Sequence, residues 1–206
     1  MSETVIAFRC NDFVIMAASG LNAFYYIKVT DHEDKITVLD SHKMVACSGE
    51  NGPRVNFTEY VKANIKLNSM RQHGRQSSTP ATAAFMRQAL ARALRSREGL
   101  YAVNSLLGGY DRPASEHDDS PPGAHLYYMD YLGTLQAVPF GAHGYGATFV
   151  VSILDQQWRP DLTPQEGLDL MQRCCDEVRR RIVVSHSNFI CKVATASGVE
   201  VVPTVH

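Results

Sequence analysis

Two side chains in a glycine-rich stretch have the residue types of an acid–base pair. His143 and Tyr145 stand two positions apart, between Gly141 and Gly146. An imidazole and a phenol can both move protons when they face one reacting group. Glycines allow the close backbone approach that sites beside a sheet edge require. The same residues also suit a packed corner in which both rings pack and form hydrogen bonds, and the local pattern favours that interpretation.

A second cluster has residue types that can ligate a metal. His117, Asp118 and Asp119 lie in a loop, residues 111–124, that contains three prolines and four acidic residues. Adjacent carboxylates in a loop of this composition are typical of solvated turns. We therefore predict neither a metal site nor a cofactor.

The cysteines indicate a reducing compartment. Their number is odd and they form no C-x-x-C motif, at positions Cys10, Cys47, Cys174, Cys175 and Cys191. Structural disulfides are rare in the cytosol and nucleus, so we expect the protein in the cytoplasm and nucleus. The N-terminus lacks the basic region of a secretory signal, in agreement with that expectation.

Size and charge exclude several classes of protein. The chain has 206 residues, a net charge of −1 and a hydrophobic content of 45%, which suits a single domain spanning residues 1–206. No apolar run reaches the roughly 18 residues of a membrane span. Arg87, Arg92, Arg95 and Arg97 lie largely off the apolar stripe of a predicted helix. With a neutral total charge, such arginines favour a solvated face or a protein interface over nucleic-acid binding.

The elements that would position these residues begin with strands. Apolar runs broken by short turns predict hairpins at residues 4–10 with 13–19, 126–131 with 134–138, and 189–194 with 199–202. Further strands are predicted at 35–39, 43–47 and 101–110. The glycines at 141, 144 and 146 predict a corner between the second hairpin and the next helix.

Four helices follow from periodicity and capping signals. The first carries Phe57, Val61 and Ile65 at four-residue spacing. The second begins with Thr79 as its cap and Pro80 in its first turn. The third starts near residue 147, and the fourth starts at the capping box of residues 163–166.

The order of elements predicts the fold class. Strands, two helices, strands, two helices and final strands can bury every apolar stripe when two sheets pack face to face with a helix pair outside each. We therefore predict an α+β fold, a four-layer α/β/β/α sandwich. A doubly wound sheet is disfavoured because most strands are joined as hairpins.

The chain resembles proteasome beta subunits in three stretches: G-Y-D at 109–111, L-Y-Y-M-D-Y at 126–131, and A-H-G-Y-G-A-T-F-V-V-S-I-L-D at 142–155. The similarity covers nearly the whole chain and implies the sandwich of the N-terminal-nucleophile hydrolases. It also implies a catalytic pattern. Active members carry an N-terminal threonine whose hydroxyl attacks a peptide carbonyl, with the free amine as base.

The resemblance places Glu3 at the position of that threonine. Met1 and Ser2 precede Glu3, so its backbone nitrogen is not a free amine. A carboxylate is a poor nucleophile in this setting. The sequence therefore predicts a subunit of a peptidase complex that is not itself an enzyme.

The supporting positions of the family are also altered. Ser19 stands at the cleft aspartate, while Lys35 retains the cleft lysine. Tyr145 stands at the serine of the glycine-rich corner, Ile182 at the late aspartate and Ser185 at the late serine. For Lys35, a structural ion pair with a carboxylate such as Asp34 or Glu3 is favoured over residual activity.

The resemblance implies partners rather than a substrate. They are the other beta subunits of one ring, the opposite beta ring and the alpha ring, which together degrade ubiquitin-tagged proteins. We expect a ring interface at residues 22–27, whose candidate contact residues are Asn22, Phe24, Tyr25, Tyr26 and Ile27. Burial of some of these aromatic residues in the core is an equally good interpretation. A small-molecule site at a subunit interface is a further expectation.

An enzyme is the competing class. Removal of Met1 would leave Ser2 with a free amine, as in N-terminal-serine amidohydrolases. Ser2 lies one residue out of register with the nucleophile position, which disfavours this reading. A free monomer in solution would favour it.

Overall fold

The computed structural model describes residues 3–24, 27–97, 99–112, 122–183 and 188–205, without the side chains of residue 24 and of 203–205. Several residues singled out in the sequence lie outside these ranges: Ser2, Tyr25, Tyr26, His117, Asp118, Asp119 and Ser185.

Strands and helices alternate in blocks along the described residues. In chain order they are β1 (Thr4–Arg9), β2 (Phe13–Ser19), β3 (Asn22–Phe24), β4 (Ile27–Thr30), β5 (Ile36–Val38), β6 (Lys43–Gly49), α1 (Asn51–Arg71), α2 (Thr79–Arg95), β7 (Val103–Asp111), β8 (Gly123–Met129), β9 (Leu135–Ala137), β10 (Phe140–Gly144), α3 (Ala147–Gln157), α4 (Pro164–Arg181), β11 (Phe189–Thr195) and β12 (Gly198–Val205).

Two five-stranded antiparallel sheets form the centre of the molecule. The first has the order β10-β1-β2-β11-β12 and the second the order β5-β6-β7-β8-β9, while β3 and β4 form a separate ribbon. The N-terminal and C-terminal hairpins meet in the first sheet, where β11 pairs with β2 from Phe189 opposite Ser19 to Thr195 opposite Phe13. The three predicted hairpins are confirmed.

Three apolar cores separate four layers. Helices α3 and α4 cover the outer face of the first sheet, with Phe8, Met171 and Val178 among the buried residues. A second core, which includes Val14 and Met16, lies between the sheets. Helices α1 and α2 cover the second sheet through a third core, which includes Phe57. The predicted four-layer sandwich is therefore confirmed.

The glycine-rich corner differs from the prediction. Residues Phe140–Gly144 form the edge strand β10, which pairs with β1 from Phe140 opposite Phe8 to Gly144 opposite Thr4. Glycines weaken the strand signal because they carry no side chain. Here they allow close approach: a Cβ on Gly144 would collide with the carbonyl oxygen of Glu3, and one on Gly146 with the side chain of Thr4.

The start of α2 also differs. Ser78, rather than Thr79, is its N-cap and accepts a hydrogen bond from the backbone nitrogen of Ala81. The Thr79 nitrogen and hydroxyl both donate to the buried carboxylate of Asp111, at 2.8 and 2.7 Å. The distant Asp111 thus satisfies a backbone donor at the start of α2, a contact that the sequence analysis did not predict.

The last helix, α4, is as predicted. Thr163 and Glu166 form the reciprocal capping box, and Pro164 occupies the first turn. None of the helices in the described ranges is long and apolar enough to cross a membrane.

Candidate functional site

A buried ion pair occupies the position where the family resemblance expects a nucleophile. The Nζ atom of Lys35 lies 3.0 Å from Oε1 of Glu3, and the Lys35 side chain is fully buried. Glu3 lies directly before β1, and Lys35 directly before β5. The pair therefore joins the first strands of the two sheets.

The Lys35 ammonium has two partners. Besides Glu3, it donates to the carbonyl oxygen of Leu21 at 2.5 Å. Burial lowers the pKa of Lys35 below its usual value, and the neighbouring Glu3 carboxylate opposes that shift. Because Lys35 is shielded from water, its positive charge is stabilised by the Glu3 carboxylate instead.

Both oxygens of the Glu3 carboxylate are held. Its Oε2 atom accepts a hydrogen bond of 2.9 Å from the backbone nitrogen of Gly49, at the end of β6. An ammonium group on one oxygen and an N–H group on the other stabilise the anion. A carboxylate bound on both oxygens is a weak nucleophile, so the arrangement neutralises charge rather than activating an attacking group.

Ser19 joins this group through the backbone. It is fully buried, and its Oγ atom accepts a hydrogen bond of 3.3 Å from the nitrogen of Leu21. The same Leu21 offers its carbonyl oxygen to Lys35. Ser19 therefore positions the backbone of Leu21, which binds Lys35, but it places no negative charge beside the Lys35 ammonium.

The remaining predicted positions lie apart from the ion pair. Tyr145 is 65% exposed, and Ile182 ends α4, where it packs against the core under the helices. Within the described part of the chain, neither residue bonds to Glu3 or Lys35, which contact each other, the Leu21 carbonyl oxygen and the Gly49 nitrogen.

His143 and Tyr145 do not form an acid–base pair. His143 is buried between the sheets, stacks on Tyr128 with ring centroids 4.2 Å apart, and has Nε2 3.2 Å from the carbonyl oxygen of Ser105. Burial lowers the pKa of His143 to about 4. Since a carbonyl only accepts, the hydrogen bond to Ser105 forms when Nε2 carries the ring proton. The packing interpretation holds for His143, whereas Tyr145 faces outward.

The sequence analysis did not predict two buried basic residues that pair with the segment of residues 33–35. Three consecutive residues each pair with a different element: Glu33 with Arg54 of α1, Asp34 with Lys192 of β11 at 2.6 Å, and Lys35 with Glu3. Both Arg54 and Lys192 are buried. A lysine within the apolar run 189–194 was the available signal, because a buried cation requires a partner.

The proposed interface segment is a small ribbon at the surface. Strands β3 and β4 pair from Asn22 opposite Thr30 to Phe24 opposite Ile27. Ile27 and Val29 are 69% and 65% exposed. Two neighbouring outward-facing aliphatic side chains on one strand form an apolar surface patch.

Comparison with known proteins shows that the sequence is similar to one family. The family model described as "Proteasome subunit" matches residues 1–194. The chain is 67% identical to "Proteasome subunit beta type-2" of Trypanosoma brucei brucei over 205 residues, which is 100% of both chains. It is 41% identical to the protein of that name from Dictyostelium discoideum, over 98% of this chain and 97% of the relative. It is 43% identical to "Proteasome subunit beta type-2-A" of Arabidopsis thaliana, over 95% of this chain and 91% of the relative.

Proposed function

We propose that this chain, which belongs to the proteasome subunit family as a beta subunit of the core particle, is a non-catalytic member of its ring. It completes the ring wall while neighbouring subunits cleave peptide bonds. We place it at the fourth position of the beta ring. Its contribution to the breakdown of ubiquitin-tagged proteins is structural.

One observation carries this proposal: the carboxylate of Glu3, at the position where the resemblance expects a nucleophile, is bound on both oxygens. Lys35 lies 3.0 Å from one oxygen and the Gly49 nitrogen 2.9 Å from the other. Nucleophilic catalysis by this fold needs a hydroxyl and a nearby base. In this chain the lysine stabilises a carboxylate instead.

The residues at two supporting positions of the family also favour a non-catalytic role. Ser19, at the position of the cleft aspartate, is neutral and bonds to a backbone nitrogen. Ile182, at the position of the late aspartate, packs in an apolar core. A cleft without these two charges lacks the groups that would hold a lysine and a nucleophile in a reactive arrangement.

The proposal implies a defined set of partners. They are the other beta subunits of the same ring, the opposite beta ring and the alpha ring, in the cytoplasm and nucleus. The ribbon formed by β3 and β4 is the ring contact we favour, because Ile27 and Val29 expose apolar surface there. A small-molecule site at such a contact stays a prediction.

The test is purification through a tag on this chain from its own cells, followed by native mass measurement. An electrophilic probe that reacts with N-terminal nucleophiles then reports which subunits carry one. We expect the chain in a large peptidase particle, unlabelled, beside labelled neighbours. Peptidase activity should be unchanged by Ser2→Ala.

Two outcomes would contradict the proposal. Labelling of this chain within the particle would show a nucleophile of its own. A chain that runs near its own mass of 22.8 kDa, and hydrolyses amides only when Ser2 is present, would be a free N-terminal-serine hydrolase.

A further inference from the structure

The first turn of α1 contains a pair of residues that can react with each other. Asn51 is followed by Gly52, and this is the one Asn–Gly pair of the sequence. In such a pair the glycine nitrogen can attack the side-chain carbonyl carbon of asparagine, because no Cβ hinders its approach. Both residues are exposed, and the space around Gly52 is open. Water and base therefore reach the reacting atoms.

The attacking nitrogen is not held by the helix. The first four N–H groups of a helix have no partner within it, and Gly52 is the second residue of α1. Within the described part of the chain, its nitrogen donates no hydrogen bond. Pro53 follows, and the residue before a proline is disfavoured in the helical conformation. The peptide between Asn51 and Gly52 is thus less strongly fixed in helical geometry than the turns that follow.

Arg54 holds the carbonyl group that would be attacked. Its Nη2 atom donates to Oδ1 of Asn51 at 3.0 Å, and the Arg54 side chain is only 5% exposed. When the Gly52 nitrogen adds to Cγ of Asn51, negative charge develops on this same Oδ1 atom. A guanidinium group that is already in place there lowers the barrier, as an oxyanion-hole donor does.

The surroundings of Asn51 also favour a negative charge at this position. The Nε atom of Arg54 is buried without a hydrogen-bond partner, so a carboxylate at residue 51 can accept from Nη2 and Nε together. The first turn of α1 contains no acidic residue, although a negative charge at a helix N-terminus is favourable. A carboxylate product would therefore gain two interactions that the amide lacks.

We propose that Asn51 is a site of spontaneous deamidation that Arg54 assists. The Gly52 nitrogen loses its proton to base and bonds to Cγ of Asn51, and the side-chain nitrogen leaves as ammonia with a proton from water. The resulting succinimide ring takes up one water, which breaks either of its two carbonyl C–N bonds. The products are aspartate and isoaspartate, whose main chain runs through the side-chain carbon. In sum, one amide and one water become one carboxylic acid and one ammonia.

The reaction makes the local charge and backbone depend on the age of the chain. Each event adds a negative charge at the start of α1. Gly49, whose nitrogen binds the Glu3 carboxylate at 2.9 Å, lies two residues before Asn51. Isoaspartate therefore lengthens the main chain beside the buried ion pair.

Peptide mass spectrometry of the tagged chain, purified from its own cells with its natural partners, tests the site. Incubation in heavy-oxygen water at mildly alkaline pH marks the deamidation that occurs during the assay. Asn68 is the internal control, because its side-chain amide donates to Ser77 and the Ser69 nitrogen is bonded within α1. We expect Asn51 to react at least about tenfold faster, a barrier difference of about 1.4 kcal/mol, and to yield both products. Equal rates, or aspartate alone, would overturn the proposal.

Gly52→Ala tests the attack by the glycine nitrogen. The variant adds a methyl group in open space, so it preserves the fold, but that methyl group hinders the approach of the nitrogen to Cγ. We expect the reaction at Asn51 to be at least about tenfold slower. A rate equal to that of wild type would indicate direct hydrolysis of the amide and would contradict the proposed route.

A double variant tests the role of Arg54. Glu33→Gln with Arg54→Met removes both members of the buried pair, so no unpaired charge remains. Glu33→Gln alone is the matched control and leaves Arg54 on Asn51. We expect the folded double variant to deamidate at Asn51 about tenfold more slowly than the control, and both to react at the same rate in urea, where the contact is absent. An equal or faster rate in the folded double variant would overturn the assistance by Arg54.

Discussion

The Nζ atom of Lys35 lies 3.0 Å from Oε1 of Glu3, and both side chains are nearly or completely shielded from water. Glu3→Gln keeps the shape but leaves the ammonium without its counter-charge. We expect a loss of about 3–5 kcal/mol in the free energy of unfolding, measured by urea denaturation, because an unpaired buried charge is costly. Lys35→Met in the same background should restore much of the loss, since no buried charge then remains.

An exposed pair provides the comparison for this cycle. Arg181 lies 2.7 Å from Glu177, and its side chain is 58% exposed. Glu177→Gln should cost less than about 1 kcal/mol, as surface pairs do. If Glu3→Gln were no more destabilising than Glu177→Gln, the buried pair would make no special contribution to stability.

Gly144 is where β10 approaches the backbone of Glu3. It has φ of +89°, and a Cβ there would collide with the carbonyl oxygen of Glu3. Gly144→Ala combines left-handed strain with a backbone clash, so we expect little folded protein in expression and thermal-melting assays.

Two other glycines separate these contributions. Gly123 has φ of +119° with open space around it, so Gly123→Ala should cost only about 1–2 kcal/mol of strain. Gly52 lies in α1, also in open space, and Gly52→Ala should be neutral or stabilising. A Gly144→Ala variant as stable as Gly123→Ala would mean that β10 can withdraw from residue 3.

His143 makes stability depend on pH. Burial lowers its folded-state pKa from 6.5 to about 4, so the unfolded state binds its proton first as pH falls. Stability is therefore fully present above pH 6.5 and is lost between 6.5 and about 4, by about 3 kcal/mol for this residue alone. Urea denaturation across this range measures it.

Two variants test whether His143 causes this loss of stability at low pH. His143→Gln cannot titrate and can still donate to the Ser105 carbonyl oxygen, so it should flatten the pH dependence in this window. His73 is exposed and has a positive φ of 55°, and His73→Asn, which tolerates that backbone, should leave the dependence intact. An unchanged slope in His143→Gln would assign the acid sensitivity to other groups.

Asp111 caps α2 from a distant strand. Its carboxylate accepts from the Thr79 nitrogen at 2.8 Å and from the Thr79 hydroxyl at 2.7 Å, and it is buried. Asp111→Ala should cost about 2–4 kcal/mol in the free energy of unfolding, because it leaves two buried donors unpaired. Ser78→Ala removes the local cap and should cost about 1 kcal/mol. The reverse ranking would make the local cap the dominant one.

Ile27 tests the proposed ring contact at β3 and β4. It is 69% exposed in the chain, so Ile27→Asp should leave the folding of the free chain unchanged, as judged by circular dichroism. Buried in a ring interface, the same carboxylate would lack a partner, so we expect incorporation into the particle to fall by about tenfold. Ile27→Val, which keeps an apolar surface, is the control. Equal incorporation of both variants would remove this segment from the interface.

Local signals predicted most of the fold. The capping box at Thr163 and the hairpin after Arg9 depend on neighbouring residues, and both are as expected. Strand β10 was missed because its glycines supply no side chains to reveal a strand, and only its pairing with β1 defines it. The α2 cap was assigned to Thr79 instead of the adjacent Ser78, and the contact of Thr79 with Asp111, 32 residues away, has no local signal.

The sequence predicted an ion pair of Lys35 but left two possible partners for it. Sequence reasoning left Asp34 and Glu3 as possible partners of Lys35, and the structure selects Glu3. Asp34 instead pairs with Lys192, 158 residues away. A sequence does not show which distant charges meet, because each partner depends on how the strands and helices pack together.

The position of β2 in the first sheet has a consequence for synthesis on the ribosome. One edge of β2 pairs with β1 as soon as the first hairpin emerges, but its other edge pairs with β11, which begins at Phe189. The nascent chain therefore carries an apolar strand with an open edge until nearly all of the protein has been translated. Such edges template intermolecular pairing, and non-local pairing is slow. We therefore expect the open edge of β2 to be a site of aggregation in chains that are released before β11 is made.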